Sequence, residues 1–94
     1  MKAQIWNHSV WIKETDPNTI KNRYTEQLIE SGFEVLNIAE HYFKPVGYTA
    51  LWLLGEIHFA VHTFPEENKS YIELSSCNED FYNLFTQTEE GATP

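Results

Sequence analysis

From Phe33 to Ser76 the chain is a run of strand-prone segments parted by turns of two to four residues. A parallel connection needs a crossover of about a dozen residues or more, so gaps this short favour antiparallel pairing. Lys44-Pro45-Val46-Gly47 is the first turn, with proline fixing one torsion and glycine permitting a positive one. Gly55-Glu56 is the second and Pro65-Glu66-Glu67-Asn68 the third. They separate Phe33 to Phe43, Tyr48 to Leu54, Ile57 to Phe64 and Ser70 to Ser76. Tyr48 to Leu54 is apolar on both faces and is expected in the middle of a sheet.

The flanks complete the layer. Gln4 to Lys13 alternates, with Trp6, His8, Val10 and Ile12 on one side and Asn7, Ser9 and Trp11 on the other, which is a strand period. Asp16-Pro17 is a helix start, a carboxylate cap followed by proline in the first turn. Ile20, Tyr24 and Leu28 then form one apolar stripe, and Gly32 supplies the stop. Asn78 can cap a second helix in which Phe81, Leu84 and Phe85 share a face. Thr86 to Pro94 is polar and is expected to be a frayed tail. The order β-α-β-β-β-β-α implies an α+β fold, a two-layer sandwich with both helices on one face of an antiparallel sheet. Residues 1–85 form its single domain and 86–94 the tail. The uncovered sheet face needs water or a partner, and the unassigned tryptophans favour a dimer.

Composition removes several function classes. The formal charge of −8, with six scattered Lys and Arg, is unsuited to replacing counterions on phosphates, so no nucleic-acid partner is expected. One cysteine excludes an internal disulfide. No stretch approaches the roughly 20 apolar residues of a membrane span, and no signal peptide is legible at the start. A soluble cytoplasmic protein is the expectation. His58 and His62 lie four apart, but on a strand that spacing separates them by about 13 Å. They cannot share one tetrahedral ion, and no metal site is expected.

Taken singly, His62 is a core or partly exposed strand residue, Cys77 a small hydrophobe, and Glu66 part of a solvated turn. Taken together, Gly55-Glu56-Ile57-His58, then His62-Thr63-Phe64-Pro65-Glu66, then Cys77 after a strand, form a spaced pattern. Upstream stands His41-Tyr42-Phe43-Lys44-Pro45-Val46-Gly47. This pattern resembles the core motif of the small bacterial and archaeal S-adenosylmethionine decarboxylases. The likeness spans roughly residues 4 to 85, with the segment 41–77 carrying its specificity.

The resemblance implies a chemistry and also a gap in it. In that family the chain cuts itself between a glutamate and a serine, and the serine becomes a pyruvoyl group, a built-in electrophile. Glu56 matches the residue before the cut. Ile57 matches the serine and has no hydroxyl. His62 matches a histidine that assists processing, Thr49 a processing serine, and Cys77 a proton donor after decarboxylation. Phe43 and Phe64 match aromatic residues that contact the ligand, whose positive sulfur an aromatic face attracts. Glu66 matches a glutamate expected to bond ribose hydroxyls. Ile57 is expected to fill the inner end of that pocket. No pyruvoyl group can form, so the resemblance implies a binding or regulatory homologue for S-adenosylmethionine or a related nucleoside or polyamine. It implies a homodimer or a heteromer with an active paralogue. The alternatives are an enzyme that forms a lactone from S-adenosylmethionine or eliminates at its sulfonium, and a true decarboxylase of spermidine biosynthesis.

Overall fold

The computed structural model describes residues 2–92. Five strands, β1 (Trp6–Ile12), β2 (Val35–Tyr42), β3 (Tyr48–Leu54), β4 (Ile57–Phe64) and β5 (Lys69–Ser76), form one antiparallel sheet in the order β1-β5-β4-β3-β2. Two helices, α1 (Pro17–Glu30) and α2 (Glu79–Ala92), complete an α+β fold of the expected element order. β3 is an interior strand, although β4 is the middle one.

The apolar stripe of α1 is what buries it. Ile20, Tyr24 and Leu28 are fully inaccessible and meet Trp52 of β3, Phe59 and Val61 of β4, and Ile72 and Leu74 of β5. Each such side chain contributes about 1.5–3 kcal/mol on burial. Trp52 is fully enclosed, and its indole N–H donates to Thr25 Oγ1 at 2.9 Å, so no donor is stranded. Asp16 caps α1, accepting from the Thr19 amide at 2.9 Å and the Thr19 hydroxyl at 2.8 Å. Those two bonds hold its carboxyl below the usual carboxylate range. Gly32 follows at φ +110, and a Cβ there would stand 2.7 Å from the Phe81 ring. The stop of α1 is therefore also where α2 packs.

α2 corrects two expectations. It does not end near Phe85 but runs to Ala92, so residues 86–92, expected as tail, are helical; Thr93 and Pro94 lie outside the described residues. The reason is Glu89, which is buried and accepts from Tyr24 Oη at 2.8 Å and Arg23 Nη2 at 3.4 Å. Burial, and next the Glu89 carboxylate, push the Tyr24 phenol well above its ordinary range. Leu84 is half exposed, while Phe85 is buried and Phe81 and Tyr82 pack against the core. Asn78 does cap α2, accepting from the Phe81 amide at 3.0 Å.

The helices cover one face only. The other face presents Leu51 and Leu53 of β3, both about half exposed, beside Ala39 and Ala60. Among the described residues no helix is long and apolar enough to cross a membrane.

Candidate functional site

The register places Thr49 opposite His62, and both project onto the open face. Thr49 Oγ1 and His62 Nδ1 are 3.0 Å apart, a hydrogen bond whose direction follows the imidazole tautomer. The turn before β3 brings Phe43 alongside. Its amide donates to the Gly47 carbonyl at 2.8 Å, and Gly47 stands at φ +121, a conformation glycine adopts without strain. Beyond β4 a 3₁₀ turn, Pro65–Glu67, carries Glu66 back toward the same place. Asn68 closes that turn in the left-handed region, with its amide on the Pro65 carbonyl at 3.0 Å.

These residues line one cavity of about 490 Å³: Phe43, Val46, Gly47, Thr49, His62, Thr63, Phe64 and Glu66. That volume lies within the range of small-molecule sites. Its lining combines two aromatic faces, an imidazole, a hydroxyl and a carboxylate. Tyr48 supports it from behind: its amide donates to Thr63 Oγ1 at 2.9 Å, and its hydroxyl donates to Glu40 Oε2 at 2.6 Å. That bond, and next the Lys21 ammonium 3.0 Å from Oε1, hold the Glu40 carboxyl below its usual range. Burial, with Glu40 adding to it, pushes the Tyr48 phenol up. A roomier groove of about 600 Å³ lies between α1 and β2, lined by Lys21, Thr25, Ile29 and Ile38 among others. None of the site residues legible in the sequence borders it, so chemistry and not size favours the cavity at Phe43.

The turn at the other end of the β3–β4 hairpin is held by backbone groups and by one carboxylate. Gly55-Glu56 joins Leu54 to Ile57, which pair across it. The Gly55 amide donates to the Glu34 carbonyl at 2.9 Å, and the Glu34 amide donates to Glu56 Oε1 at 3.1 Å. The Glu56 carbonyl accepts from the Cys77 amide at 3.2 Å. Ile57 stands at φ +116, a region that β-branched residues avoid. Cys77 is exposed.

One copy of the chain does not bring these two groups together. His62 lies five residues along β4 from Ile57, about 16 Å at strand rise. Thr49, His62, Phe43, Phe64 and Glu66 converge at one end of the hairpin, and Glu56, Ile57 and Cys77 at the other. Ile57 does not line the 490 Å³ cavity, contrary to the expectation that it fills its inner end. His58 faces Ser75 and Leu53 across the sheet, away from the His62 row. Sequence reasoning also passed over Tyr71 and Trp11, which the register sets in the His62 row, and Glu34, which clamps the turn.

Comparison with known proteins gives this geometry a context. Residues 12–90 match the family model described as S-adenosylmethionine decarboxylase. A relative from Bacillus cereus, S-adenosylmethionine decarboxylase proenzyme 2, is 45% identical over 47 residues, 50% of this chain and 38% of the relative. The S-adenosylmethionine decarboxylase proenzyme of Geobacillus kaustophilus is 31% identical over 75 residues, 80% of this chain and 60% of the relative. The chain thus spans less than two thirds of the length of these relatives. The crystal structure of the adenosylmethionine decarboxylase from Aquifex aeolicus superposes with a TM-score of 0.74, covering 93% of this chain and 78% of that one. At 16% identity that likeness speaks for the fold alone.

Proposed function

Since the chain belongs to the S-adenosylmethionine decarboxylase family, we propose that it binds S-adenosylmethionine or a related nucleoside and does not turn itself into a decarboxylase. The observation that carries this reading is Ile57. Conversion to a pyruvoyl group requires a hydroxyl to attack the preceding carbonyl and an oxygen to leave afterwards. A sec-butyl side chain supplies neither. The residues at the turn therefore do not fit that group.

The cavity lining offers several contacts to such a ligand. Phe43 and Phe64 offer faces for a purine or a sulfonium. Glu66 is an acceptor for paired ribose hydroxyls. His62, fixed by Thr49, and the Thr49 hydroxyl are donors or acceptors for the polar remainder of a ligand.

The separation of the two ends supports a two-fold dimer through the open sheet face. The half-exposed leucines, Leu51 and Leu53, lie on that face between the ends. An antiparallel face-to-face pair would set the His62 end of one copy against the Ile57 end of the other. In a heteromer with a serine-bearing paralogue, this chain would lend an intact ligand end to the partner's reactive end. That arrangement gives the protein a regulatory role in place of a catalytic one.

Intact mass and calorimetry on one purified sample test the reading. The expected results are a single uncleaved chain of 11.0 kDa, inert to carbonyl-trapping reagents, and heat on titration with S-adenosylmethionine or adenosine. A keto-terminated fragment, or carbon dioxide released from carboxyl-labelled substrate, would overturn it. Homoserine lactone or methylthioadenosine accumulating during incubation would replace it with a non-decarboxylating enzyme.

A further inference from the structure

Five side chains form one cross-strand row on the open face. His41 pairs with Thr49, Thr49 with His62, His62 with Tyr71, and Tyr71 with Trp11. The Tyr71 and His62 rings lie nearly parallel, 23° apart in tilt, with centroids 6.5 Å apart. Tyr71 is itself fixed at both sides: its hydroxyl donates to Glu73 Oε2 at 3.0 Å, and Trp11 packs on it at 5.3 Å. Trp11 also reaches Phe64, with centroids 5.9 Å apart. Lys69 Nζ stands 4.3 Å over the Trp11 ring and covers one of its faces.

We infer that Trp11 and Tyr71 are positioning residues for the cavity at Phe43, Tyr71 fixing the plane of His62 and Trp11 fixing the ring of Phe64. Neither Trp11 nor Tyr71 lines that cavity, while His62 and Phe64 both do. A tryptophan left half exposed at a sheet edge would by itself be an ordinary surface residue. This one is held by a cation on one side and two rings on others, and both paths from it end at cavity residues. Phe64 is otherwise exposed beyond a third of its surface, so without Trp11 its ring is free to turn. His62 is held by Thr49 at Nδ1, and one hydrogen bond leaves the imidazole plane free to rock about it. The Tyr71 ring, nearly parallel to it at 6.5 Å, restricts that motion from one side. Preorganised rings bind a planar ligand more tightly because their rotamers are already fixed.

The test has two arms. In the first, His62 and Phe64 ring signals are followed by NMR in the unaltered protein and in Trp11→Leu, Trp11→Phe, Tyr71→Leu and Tyr71→Phe. The leucine variants should move or broaden the paired signal, Phe64 for Trp11 and His62 for Tyr71, and the phenylalanine variants should restore it. In the second arm, adenosine is titrated by calorimetry. Trp11→Leu should weaken it about 5-fold and Phe64→Leu about 10-fold, while the double variant should lose little beyond Phe64→Leu, since the two act through one ring. This arm alone rests on the ligand reading given above. If the unaltered protein takes no adenosine, that reading fails and the NMR arm still decides. Unmoved His62 and Phe64 signals in the leucine variants, or adenosine losses that simply multiply, would overturn the inference.

Discussion

At the His62 end of the β3–β4 hairpin, side chains converge on a cavity; at the Ile57 end, backbone groups and the Glu56 carboxylate hold a turn. The first end depends on what its residues are: two phenylalanines, an imidazole, a hydroxyl and a carboxylate. The second depends on where its backbone is held. The amide and carbonyl of Glu34 grip Gly55 and Glu56, and the Cys77 amide holds the Glu56 carbonyl. None of those bonds uses the Ile57 side chain. The geometry around the turn can therefore outlast the chemistry that its side chain would supply, whereas the cavity is made of its side chains.

The sharpest way to break this contrast is Ile57→Ser. If the turn is held independently of its side chain, restoring the hydroxyl next to a carbonyl already bound by the Cys77 amide should yield partial self-cleavage after Glu56. Intact mass reads the outcome, two fragments in place of one chain. A folded but inert Ile57→Ser chain would show that the difference extends past one residue, into the turn itself or its supports. Next in size, Phe64→Ala should weaken adenosine about 10-fold or more, in keeping with the 1–3 kcal/mol of a base–aromatic contact. Cys77→Ala, at the far end, should leave the affinity of the isolated chain unchanged. Equal losses from both, in protein shown to be monomeric, would mean the ends are not separate.

Ile57→Gly asks what the turn costs. A non-glycine residue held in the left-handed region carries about 1–3 kcal/mol of strain. Glycine removes it but gives up part of the isoleucine's packing and gains freedom in the unfolded chain. A net gain of about 1 kcal/mol follows, or about 4–8 °C in the melting temperature of a domain this size. A loss of stability would mean that isoleucine packing outweighs the strain. Adenosine affinity should not follow either way.

How far the sequence revealed these two ends follows from the reach of its signals. Period two in β1, β-prone runs in β2 through β5 and the Pro/Gly turns between them marked the strands within a residue or two, because these are local signals. The cap at Asp16 and the stop at Gly32 were legible for the same reason, being local demands of backbone geometry. Thr49 and His62 were legible as a pair only through the family pattern, and the register then set them opposite each other. What stayed hidden depends on contacts distant in sequence. Glu89 looks like part of a solvated polar tail, yet Tyr24 and Arg23, more than sixty residues earlier, help make it a buried anchor. The Trp11–Tyr71–His62 row crosses three strands whose order no local pattern gives. The separation of His62 from Ile57 was available from strand rise alone, but a motif read as one site conceals it.

The smallest effect expected tells the ends apart by acid. Glu40 and Tyr48 tie β2 to β3 beside the cavity, and both titrations are displaced in the folded chain. The Glu40 carboxyl lies below its ordinary value when folded. Its contribution is therefore present above the ordinary carboxylate pKa near 4 and is lost as pH falls through the lower folded value. The Tyr48 phenol lies above its ordinary value, so its contribution is whole below about pH 10 and is lost as pH rises beyond that. Glu40 is partly solvated, with water screening the pair, and the effect should stay below about 1 kcal/mol. Melting followed against pH should show Glu40→Gln flattening the acid limb, and hydrogen exchange should show amides near Tyr48 opening in acid before those of the Glu34–Glu56 clamp. An acid limb unchanged in Glu40→Gln would move the sensitivity away from the cavity, and earlier opening at the clamp would reverse the order of the two ends.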